Sequence, residues 1–306
     1  MNASSSALIA IDWGSSNLRA SLLDAAGLAI ETRAALGGVM AVKDKRFADA
    51  LLTLCGDWIE RRAGALIASG MVGSRQGWKE AAYLDCPTGV SKAAALLTRV
   101  DVLPGVTLHI VPGLTCRSAD GQDDVMRGEE TQIWGADLAA GSCCVLPGTH
   151  AKWVWVGHSS EVTRFSTYMT GELYGLLTQH GILGRLMIFG QSAPEAFEAG
   201  VRLGLEQSDN ATHVIFAART AGLMGRIPPE GLPDYLSGIL MGIEIASATR
   251  AGRPRAVVLL GDDGLCYRYA TALSLAGIAS TRAPDNATTR GQWRVAQQAG
   301  LLERAP

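Results

Sequence analysis

The stretch that decides the fold is IAIDWGSSNLRASLL, residues 9–23, in which two apolar runs flank a polar turn. The runs predict β-strands at Ala7–Ile11 and Leu18–Leu23, and the turn spans Asp12–Asn17. A third predicted strand, Leu28–Ala34, follows after another short turn. The amino-terminal segment is therefore a predicted β-meander with a glycine-containing polar loop at its first bend.

The same order of elements returns in the second half of the chain. Between Cys143 and Tyr168 the chain has three predicted strands joined by two turns. The first of these turns carries a glycine beside a hydroxyl residue. Gly14 and Gly148 occupy the equivalent turns. The repetition predicts a weak internal duplication, with one copy in each of two domains.

Two domains also fit the length of the chain, because 306 residues can form two apolar cores. We place the domains at residues 1–138 and 139–306, and we expect the last helix, Ala287–Ala299, to pack back on the first domain. The segment from Gly70 to Val90 is rich in Gly, Arg, Trp and Pro and has no clear period. A loop of that length in a compact domain is often functional.

The composition excludes several classes of protein. Lys and Arg number 27 against 29 Asp and Glu, for a formal charge of −2, so nucleic acid is not an expected partner. No apolar run approaches the ~18 residues of a membrane span, and the amino terminus lacks a signal-peptide pattern. The six cysteines have no zinc spacing, and the adjacent Cys143 and Cys144 are predicted strand residues. We expect a cytoplasmic protein that binds no membrane.

The first polar turn has the chemistry of a phosphate-binding loop. Asp12, at a strand end, is placed to hold a Mg²⁺-bound water, and Gly14 lets the backbone approach a ligand closely. Successive backbone N–H groups and the side chains of Ser15, Ser16 and Asn17 can surround phosphate oxygens. An ordinary polar hairpin turn is the alternative for this motif taken alone.

Two later turns supply a second set of candidates. The turn PGTHAK contributes Gly148, Thr149 and Lys152, whose ammonium group either contacts a phosphate oxygen or is a solvated strand residue. A further apolar strand runs into Gly261, where a purine and ribose could approach the backbone. A plain strand-to-helix connection is the alternative there, and the role of His150 stays open.

Taken together, these motifs resemble the superfamily of sugar kinases, heat-shock chaperone ATPases and actin. More narrowly, the chain is similar to the 2-dehydro-3-deoxygalactonokinase family over nearly all of its length. The similarity rests on the opening hairpin and on four later segments, ASGMVGSRQGWKEAAYLDCP, DDVMRGEETQIWGA, LPGTHAKWVWV and TYMTGELYGLL. Ser15 stands where many relatives have Thr, which keeps the hydroxyl group.

The resemblance implies an α/β fold of two actin-like ATPase domains of the ribonuclease H-like type. Each domain would have a mixed five-stranded sheet flanked by helices, with the nucleotide cleft between them. The implied activity is phosphorylation of 2-dehydro-3-deoxy-D-galactonate at its C6 hydroxyl in galactonate catabolism, with ATP and Mg²⁺. A kinase for another 2-keto-3-deoxy sugar acid and a non-catalytic sugar sensor on the same scaffold are the alternatives. A homodimer is left open.

The resemblance also implies a carboxylate, placed just before the second phosphate turn, that accepts the proton of the attacking hydroxyl. Alignment on Gly135 puts Gly128 or Glu129 at that place, where the superfamily has Asp. Two candidates remain, Glu129 at a helix start and Asp124 four residues upstream of Gly128.

An arginine is expected to bind the carboxylate of the sugar acid, because a guanidinium group offers two parallel donors. Arg75 in GSRQGW and Arg127 in VMRGEE both lie in glycine-flanked segments. Trp78 is placed to pack against the carbon backbone of the sugar. In the alternative interpretation, Arg75 ties the long loop together and Trp78 belongs to the core.

Overall fold

The computed structural model describes residues 6–118 and 120–302, which form two compact units. The first unit contains the described residues up to Gly141, together with 155–164 and 284–302. The second contains 142–154 and 165–283. This grouping gives the last helix to the first unit, and it also gives that unit Trp155–Arg164, which the predicted boundary would assign to the second.

A six-stranded mixed sheet forms the centre of the first unit, one strand more than predicted. The central strand β1 pairs antiparallel with β2 and parallel with β4. The strand order is β3-β2-β1-β4-β7-β6. The strands are β1 (Ser6–Trp13), β2 (Asn17–Asp24), β3 (Ala29–Leu36), β4 (Ala65–Ser69), β6 (Thr98–Leu103) and β7 (Val106–Ile110), with β5 (Tyr83–Asp85) lying in a second sheet.

That second sheet has three strands, the first of which lies within the segment from Gly70 to Val90 that shows no clear period in the sequence. Its order is β5-β8-β9, with β8 at Gly113–Arg117 and β9 at Asp123–Met126. The helices of the first unit are α1 (Phe47–Glu60), α2 (Val90–Ala94), α3 (Glu129–Gly135) and α10 (Ala287–Gln298). Aromatic side chains pack behind the first hairpin, where the Phe47 and Trp78 rings stack with their centroids 6.1 Å apart.

The last helix fixes the position of α3. Helices α3 and α10 cross where both carry glycine, at Gly135 and Gly291. A Cβ atom on Gly291 would overlap the carbonyl oxygen of Thr131, and one on Gly135 would overlap that of Ala287. The two backbones therefore touch, and α10 holds the start of α3 in place.

The second unit is built on a five-stranded sheet in the order β12-β11-β10-β13-β14. β10 pairs parallel with β13, and β13 pairs parallel with β14. The prediction that Cys143 and Cys144 are buried strand residues is confirmed in β10. The strands are β10 (Cys143–Leu146), β11 (Ala151–Val156), β12 (Val162–Tyr168), β13 (Ala256–Leu259) and β14 (Ala279–Arg282).

Six helices surround this sheet, and the α/β class predicted from the sequence is confirmed. The long helix α8 carries a nearly continuous buried face and packs against α5 through glycines on both helices. Across residues 6–118 and 120–302, no helix is long and apolar enough to cross a membrane. The helices are α4 (Thr170–Gln179), α5 (Pro194–Glu206), α6 (Ala211–Val214), α7 (Ala217–Leu223), α8 (Leu232–Ala248) and α9 (Asp263–Leu275).

Candidate active site

The predicted phosphate turn of the first unit is a tight hairpin braced by the segment after β3. Gly14 N–H donates to Asn17 O at 3.0 Å, and the Gly14 carbonyl accepts from Val39 N–H at 2.9 Å. The side chains of Ser15, Ser16 and Asn17 are exposed. The turn is thus held by its own backbone, and its polar side chains remain accessible to a ligand.

Asp12, the last residue but one of β1, is a half-buried carboxylate. Arg19 lies directly opposite it on β2. Both residues line a cavity of about 280 Å³. The other polar residues of its wall are Ser21, Thr32, Asp285, Asn286, Thr288, Thr289 and Gln292. The first unit therefore places the Asp12 carboxylate and the Arg19 guanidinium group at the same cavity, with Asp285 as a second carboxylate in its wall.

Burial and two neighbouring charges set the pKa of the Asp12 carboxyl group. Burial raises the pKa of its carboxyl group, the Arg19 charge lowers it in part, and the Glu129 charge raises it further. A site with one such carboxylate fits Mg²⁺, which keeps several waters and takes its other ligands from substrate phosphates. The described residues contain no group of three or more His, Cys, Asp or Glu side chains that could hold a metal by itself.

Two glycines bring the start of α3 to the phosphate turn. A Cβ atom on Gly128 would lie 3.1 Å from the Gly70 Cα, and one on Gly70 would lie 2.7 Å from the Trp13 carbonyl oxygen. Both glycines have positive φ, 108° and 95°. The backbone at Gly70 and Gly128 can therefore pass close behind Trp13. The residue that follows Gly128 is Glu129, the predicted base.

Glu129 and Glu130 occupy the first turn of α3 in different surroundings. Glu129 is half-buried, and its Oε2 accepts from Arg127 N–H at 3.1 Å. Glu130 is fully buried, with Oε2 accepting from Gly128 N–H at 2.7 Å and Oε1 bonded to the Thr131 hydroxyl at 3.0 Å. Burial, and next the Glu129 charge, raise the pKa of Glu130 to about 8. One of two adjacent carboxyl groups is thus protonated near neutral pH.

The second base candidate, Asp124, lies on β9 in the three-stranded sheet. Its Oδ1 accepts from the neighbouring Val125 N–H at 2.7 Å. Glu129, and not Asp124, is among the charges that act on the pKa of Asp12. The structure therefore groups Glu129 with the phosphate turn and leaves Asp124 on a separate element.

The predicted substrate residues of the first unit lie in three different settings. Arg75 is exposed and forms an ion pair with Glu80 at 3.0 Å. Trp78 is half-buried against Phe47 and Trp13, as in the core interpretation. Its predicted contact with the sugar stays a prediction.

Arg127 is buried beneath the loop that carries Arg75. Its Nη2 donates to the Ala81 carbonyl oxygen at 2.7 Å, and its guanidinium group lies 4.2 Å from the Tyr83 ring centre. Its Nε and Nη1 atoms are shielded from solvent and have no hydrogen-bond partner among the described residues. Arg127 therefore holds the loop from below, and its predicted contact with the substrate stays a prediction.

The second predicted phosphate turn is braced by helix α4. Glu172 N–H donates to the Thr149 carbonyl oxygen at 3.0 Å, and a Cβ atom on Gly171 would lie 2.5 Å from the Gly148 carbonyl oxygen. Lys152 is buried, so the solvated alternative is wrong, and its ammonium group donates to the His150 carbonyl oxygen at 3.1 Å. The lysine therefore supports the turn from within the unit.

The Gly261 turn lies beside this loop. Gly261 has a φ of 127°, and a Cβ atom there would be 3.5 Å from the Pro147 carbonyl oxygen. The next residue, Asp262, caps α9 by accepting from Leu265 N–H at 3.0 Å. The structure therefore brings together the two predicted nucleotide turns of the second unit.

A cavity of about 190 Å³ opens next to Gly148 in the second unit. Its polar wall includes Thr170, Tyr174, Ser237 and an ion pair in which Arg268 lies 2.6 Å from Asp234. Leu240, Met241 and Leu265 supply an apolar wall. A cavity with apolar sides and a few fixed polar groups is typical of a small-molecule site.

Comparison with known proteins shows the family to which this chain belongs. The family model described as 2-keto-3-deoxy-galactonokinase matches residues 12–295. The chain belongs to this family. A protein of Escherichia coli (strain K12) named 2-dehydro-3-deoxygalactonokinase is 39% identical over 271 residues, which cover 88% of this chain and 90% of that protein.

Solved structures of this kinase family and of more distant sugar kinases share the fold. A crystal structure described as a 2-dehydro-3-deoxygalactonokinase protein from Sinorhizobium meliloti is 32% identical, covers 98% of both chains and has a TM-score of 0.85. Ligand-bound xylulose kinase from Lactobacillus acidophilus is 10% identical, with a TM-score of 0.51 over 97% of this chain and 90% of that one. The latter similarity concerns the fold alone.

Sequence reasoning missed several polar residues at these sites in the kinase chain. Arg19 could have been found, because the short hairpin turn sets the register that pairs it with Asp12. Thr170 and the Asp234–Arg268 pair had no such signal, because α4, α8 and α9 meet only in the folded second unit.

Proposed function

We propose that this protein transfers the γ-phosphoryl group of ATP to the C6 hydroxyl of 2-dehydro-3-deoxy-D-galactonate, giving the 6-phosphate and ADP. Membership of the kinase family supports the activity, and the name of the Escherichia coli relative supports the substrate. The observation that carries the mechanism is the packing of Gly128 on Gly70, which sets Glu129 beside the turn that contains Asp12.

In the first unit, each charged residue has a separate task. Glu129 accepts the proton of the attacking hydroxyl, because it is a half-buried carboxylate at the start of α3 and close enough to act on Asp12. Arg19 and the exposed hydroxyls of Ser15 and Ser16 bind phosphate oxygens. Asp12 holds waters of Mg²⁺, which when bound neutralises charge on the phosphates.

In the second unit, the turns bind the nucleotide. The backbone at Gly148 and Thr149 contacts phosphate oxygens, and the Gly261 turn supports the purine and ribose. Lys152 acts on this site by holding the His150 carbonyl group, and its positive charge still attracts phosphate. The adjoining cavity, with apolar walls and the Asp234–Arg268 pair, has the character of a nucleoside site.

We assign the sugar carboxylate to Arg75 and give Arg127 a supporting role. Arg75 is exposed, and its partner Glu80 is also more than half exposed, so that this ion pair is easily exchanged for a ligand carboxylate. Arg127 is buried against the Ala81 carbonyl and the Tyr83 ring. It keeps the loop that carries Arg75 and Trp78 in one position. The cytoplasmic location stays a prediction, and the homodimer stays an open possibility.

The test compares Glu129→Gln with Asp124→Asn in a coupled assay of ADP release. Glu129→Gln should lower kcat by about 10²–10⁴-fold, because a general base contributes that much. Binding of the sugar acid, measured by calorimetry, should be retained. Asp124→Asn is the matched control and should keep kcat within about threefold of the wild type, since its carboxylate serves β9.

A panel of 2-keto-3-deoxy sugar acids in the same assay tests the substrate. We expect the highest kcat/KM for 2-dehydro-3-deoxy-D-galactonate. Wild-type protein that releases no ADP with any acid would contradict the kinase activity. Equal and small effects of the two carboxylate variants would contradict the assignment of the base.

A further inference from the structure

Glu244 is a buried carboxylate one turn before the end of α8 that the proposed mechanism leaves unused. It is 2% exposed. Its Oε1 accepts from the Trp153 indole N–H at 2.8 Å, and its Oε2 accepts from the Tyr269 hydroxyl at 2.8 Å and from the Thr170 hydroxyl. All three partners act as donors toward one acceptor, which satisfies a deprotonated carboxylate on both oxygens.

Each of these donors belongs to an element that leads to or from a nucleotide turn. Trp153 lies on β11, which begins directly after His150. Thr170 begins α4, and the next residue, Gly171, packs on the backbone of Gly148 and Thr149. Tyr269 lies on α9, which begins two residues after Gly261. One side chain of α8 therefore joins the supports of both turns.

The same residues reach the cavity of the second unit. Thr170 and Tyr269 line it together with Gly148, and Met241, one turn before Glu244 on α8, forms part of its apolar wall. Glu244 lies behind these residues, hydrogen-bonded to two of them. It can act on a bound nucleotide through the groups that it holds, without touching the nucleotide itself.

Both the burial of this carboxylate and its removal carry an energetic cost. A buried carboxylate is costly to desolvate, and three hydrogen bonds offset that cost here. Burial raises the pKa of Glu244, and its hydrogen bonds to Thr170, Trp153 and Tyr269 lower it in part. An apolar residue at this place would leave three donors without their acceptor and two turns without a common anchor.

We infer that Glu244 is a positioning residue for the nucleotide, which sets the geometry of the Gly148–Thr149 turn and the Gly261 turn through Trp153, Thr170 and Tyr269. This inference rests on the proposed assignment of the nucleotide to the second unit. Removal of the Glu244 carboxylate weakens ATP binding and leaves binding of the sugar acid intact.

The experiment uses full-length protein with Glu244→Leu, Glu244→Gln and Ile245→Ala. Ile245 is the control, because it is a fully buried neighbour on α8 that does not line the cavity. Glu244→Leu should raise the KM for ATP and the Kd of a non-hydrolysable ATP analogue about tenfold, which corresponds to the loss of about 1.4 kcal/mol. The KM for the sugar acid should stay within about twofold.

Glu244→Gln should restore most of the affinity. Its carbonyl oxygen can accept from Trp153, and its amide can donate to the oxygens of Thr170 and Tyr269, whose hydroxyls turn readily. Ile245→Ala should lower Tm and leave the KM for ATP unchanged. If Glu244→Leu does not fold, Tyr269→Phe and Thr170→Val replace it, and each should raise the KM for ATP severalfold.

The outcomes separate this inference from the function on which it rests. A wild-type protein that binds no ATP analogue would refute the proposed function. If the wild type binds ATP, and Glu244→Leu or both replacement variants bind ATP equally well, the positioning role is refuted. The proposed kinase activity is not affected by that outcome. A loss of ATP affinity in Ile245→Ala equal to that in Glu244→Leu would also refute it, because any disturbance of α8 would then suffice.

Discussion

Replacement of Glu130 by Gln should remove a pH dependence of stability that the structure places at this one residue. The Glu130 side chain is 0% exposed at the start of α3. Burial, and next the Glu129 charge, raise its pKa to about 8 from an ordinary value of 4.5. Between these two pH values the folded protein keeps a proton on Glu130 that the unfolded chain has released.

The sign and size of the effect follow from this difference in bound protons. The stabilisation by the bound proton is complete below pH 4.5 and is lost as the pH rises through the folded pKa of about 8. Between pH 5.5 and 8.5 the free energy of unfolding of the wild type should therefore fall by about 3 kcal/mol on account of this group. Glu130→Gln keeps both hydrogen bonds, with its oxygen accepting from Gly128 N–H and its amide donating to the Thr131 hydroxyl.

The assay is urea unfolding of wild type and variant at several pH values from 5.5 to 8.5. The variant should gain about 3 kcal/mol on the wild type across this range, since every other titrating group is shared. Glu60→Gln is the control, because Glu60 is an exposed glutamate of the same unit and its replacement should leave the profile parallel to that of the wild type. Parallel profiles for wild type and Glu130→Gln would refute a buried, protonated Glu130.

Three further predictions concern the charged residues of the two sites. Asp12→Asn should lower kcat by about 10²–10³-fold. It should also raise the urea midpoint, because burial disfavours the charged form of the Asp12 carboxyl group. A lowered midpoint would contradict this second expectation. Lys152→Met should raise the KM for ATP about tenfold through the lost bond to the His150 carbonyl group, and an unchanged KM would show that the turn holds itself. Arg75→Lys should lower kcat/KM for the sugar acid more than kcat/KM for its amide. Arg127→Lys should lower kcat/KM for the acid and the amide equally, because Arg127 supports the loop and does not touch the carboxylate. Equal losses for acid and amide in both variants would leave the carboxylate without an assigned partner.

The opening hairpin could be predicted because its pattern is local. The predicted strands Ala7–Ile11 and Leu18–Leu23 are confirmed as β1, Ser6–Trp13, and β2, Asn17–Asp24. Their apolar residues fill the core of the first unit, so that burial and strand propensity favour the same structure. The hairpin register also follows from the short turn, and it places Arg19 opposite Asp12.

The strand β9, at Asp123–Met126, could not be predicted in the same way. Three of its four residues are polar or exposed, and the fourth, Met126, is buried. Its strand conformation comes from pairing with β8, where Cys116 faces Asp124. A strand stabilised mainly by its partner carries little signal of its own, and for this reason the sequence offers Asp124 as a candidate base on its distance from Gly128 alone.

Long-range packing, rather than local pattern, decides which carboxylate does what in this protein. The segment DVMRGEETQ offers Glu129 and Glu130 as near equals, and each accepts a hydrogen bond from a residue two positions away. They are told apart only in the folded unit, where α3 packs closely on α10, Glu130 is buried and Glu129 is half-buried. Glu244 is a stronger case, because its three donors are 91, 74 and 25 positions away. An acidic residue inside an apolar helix indicates a buried partner, and only the fold shows that its partners are Trp153, Thr170 and Tyr269, which adjoin the two proposed nucleotide turns.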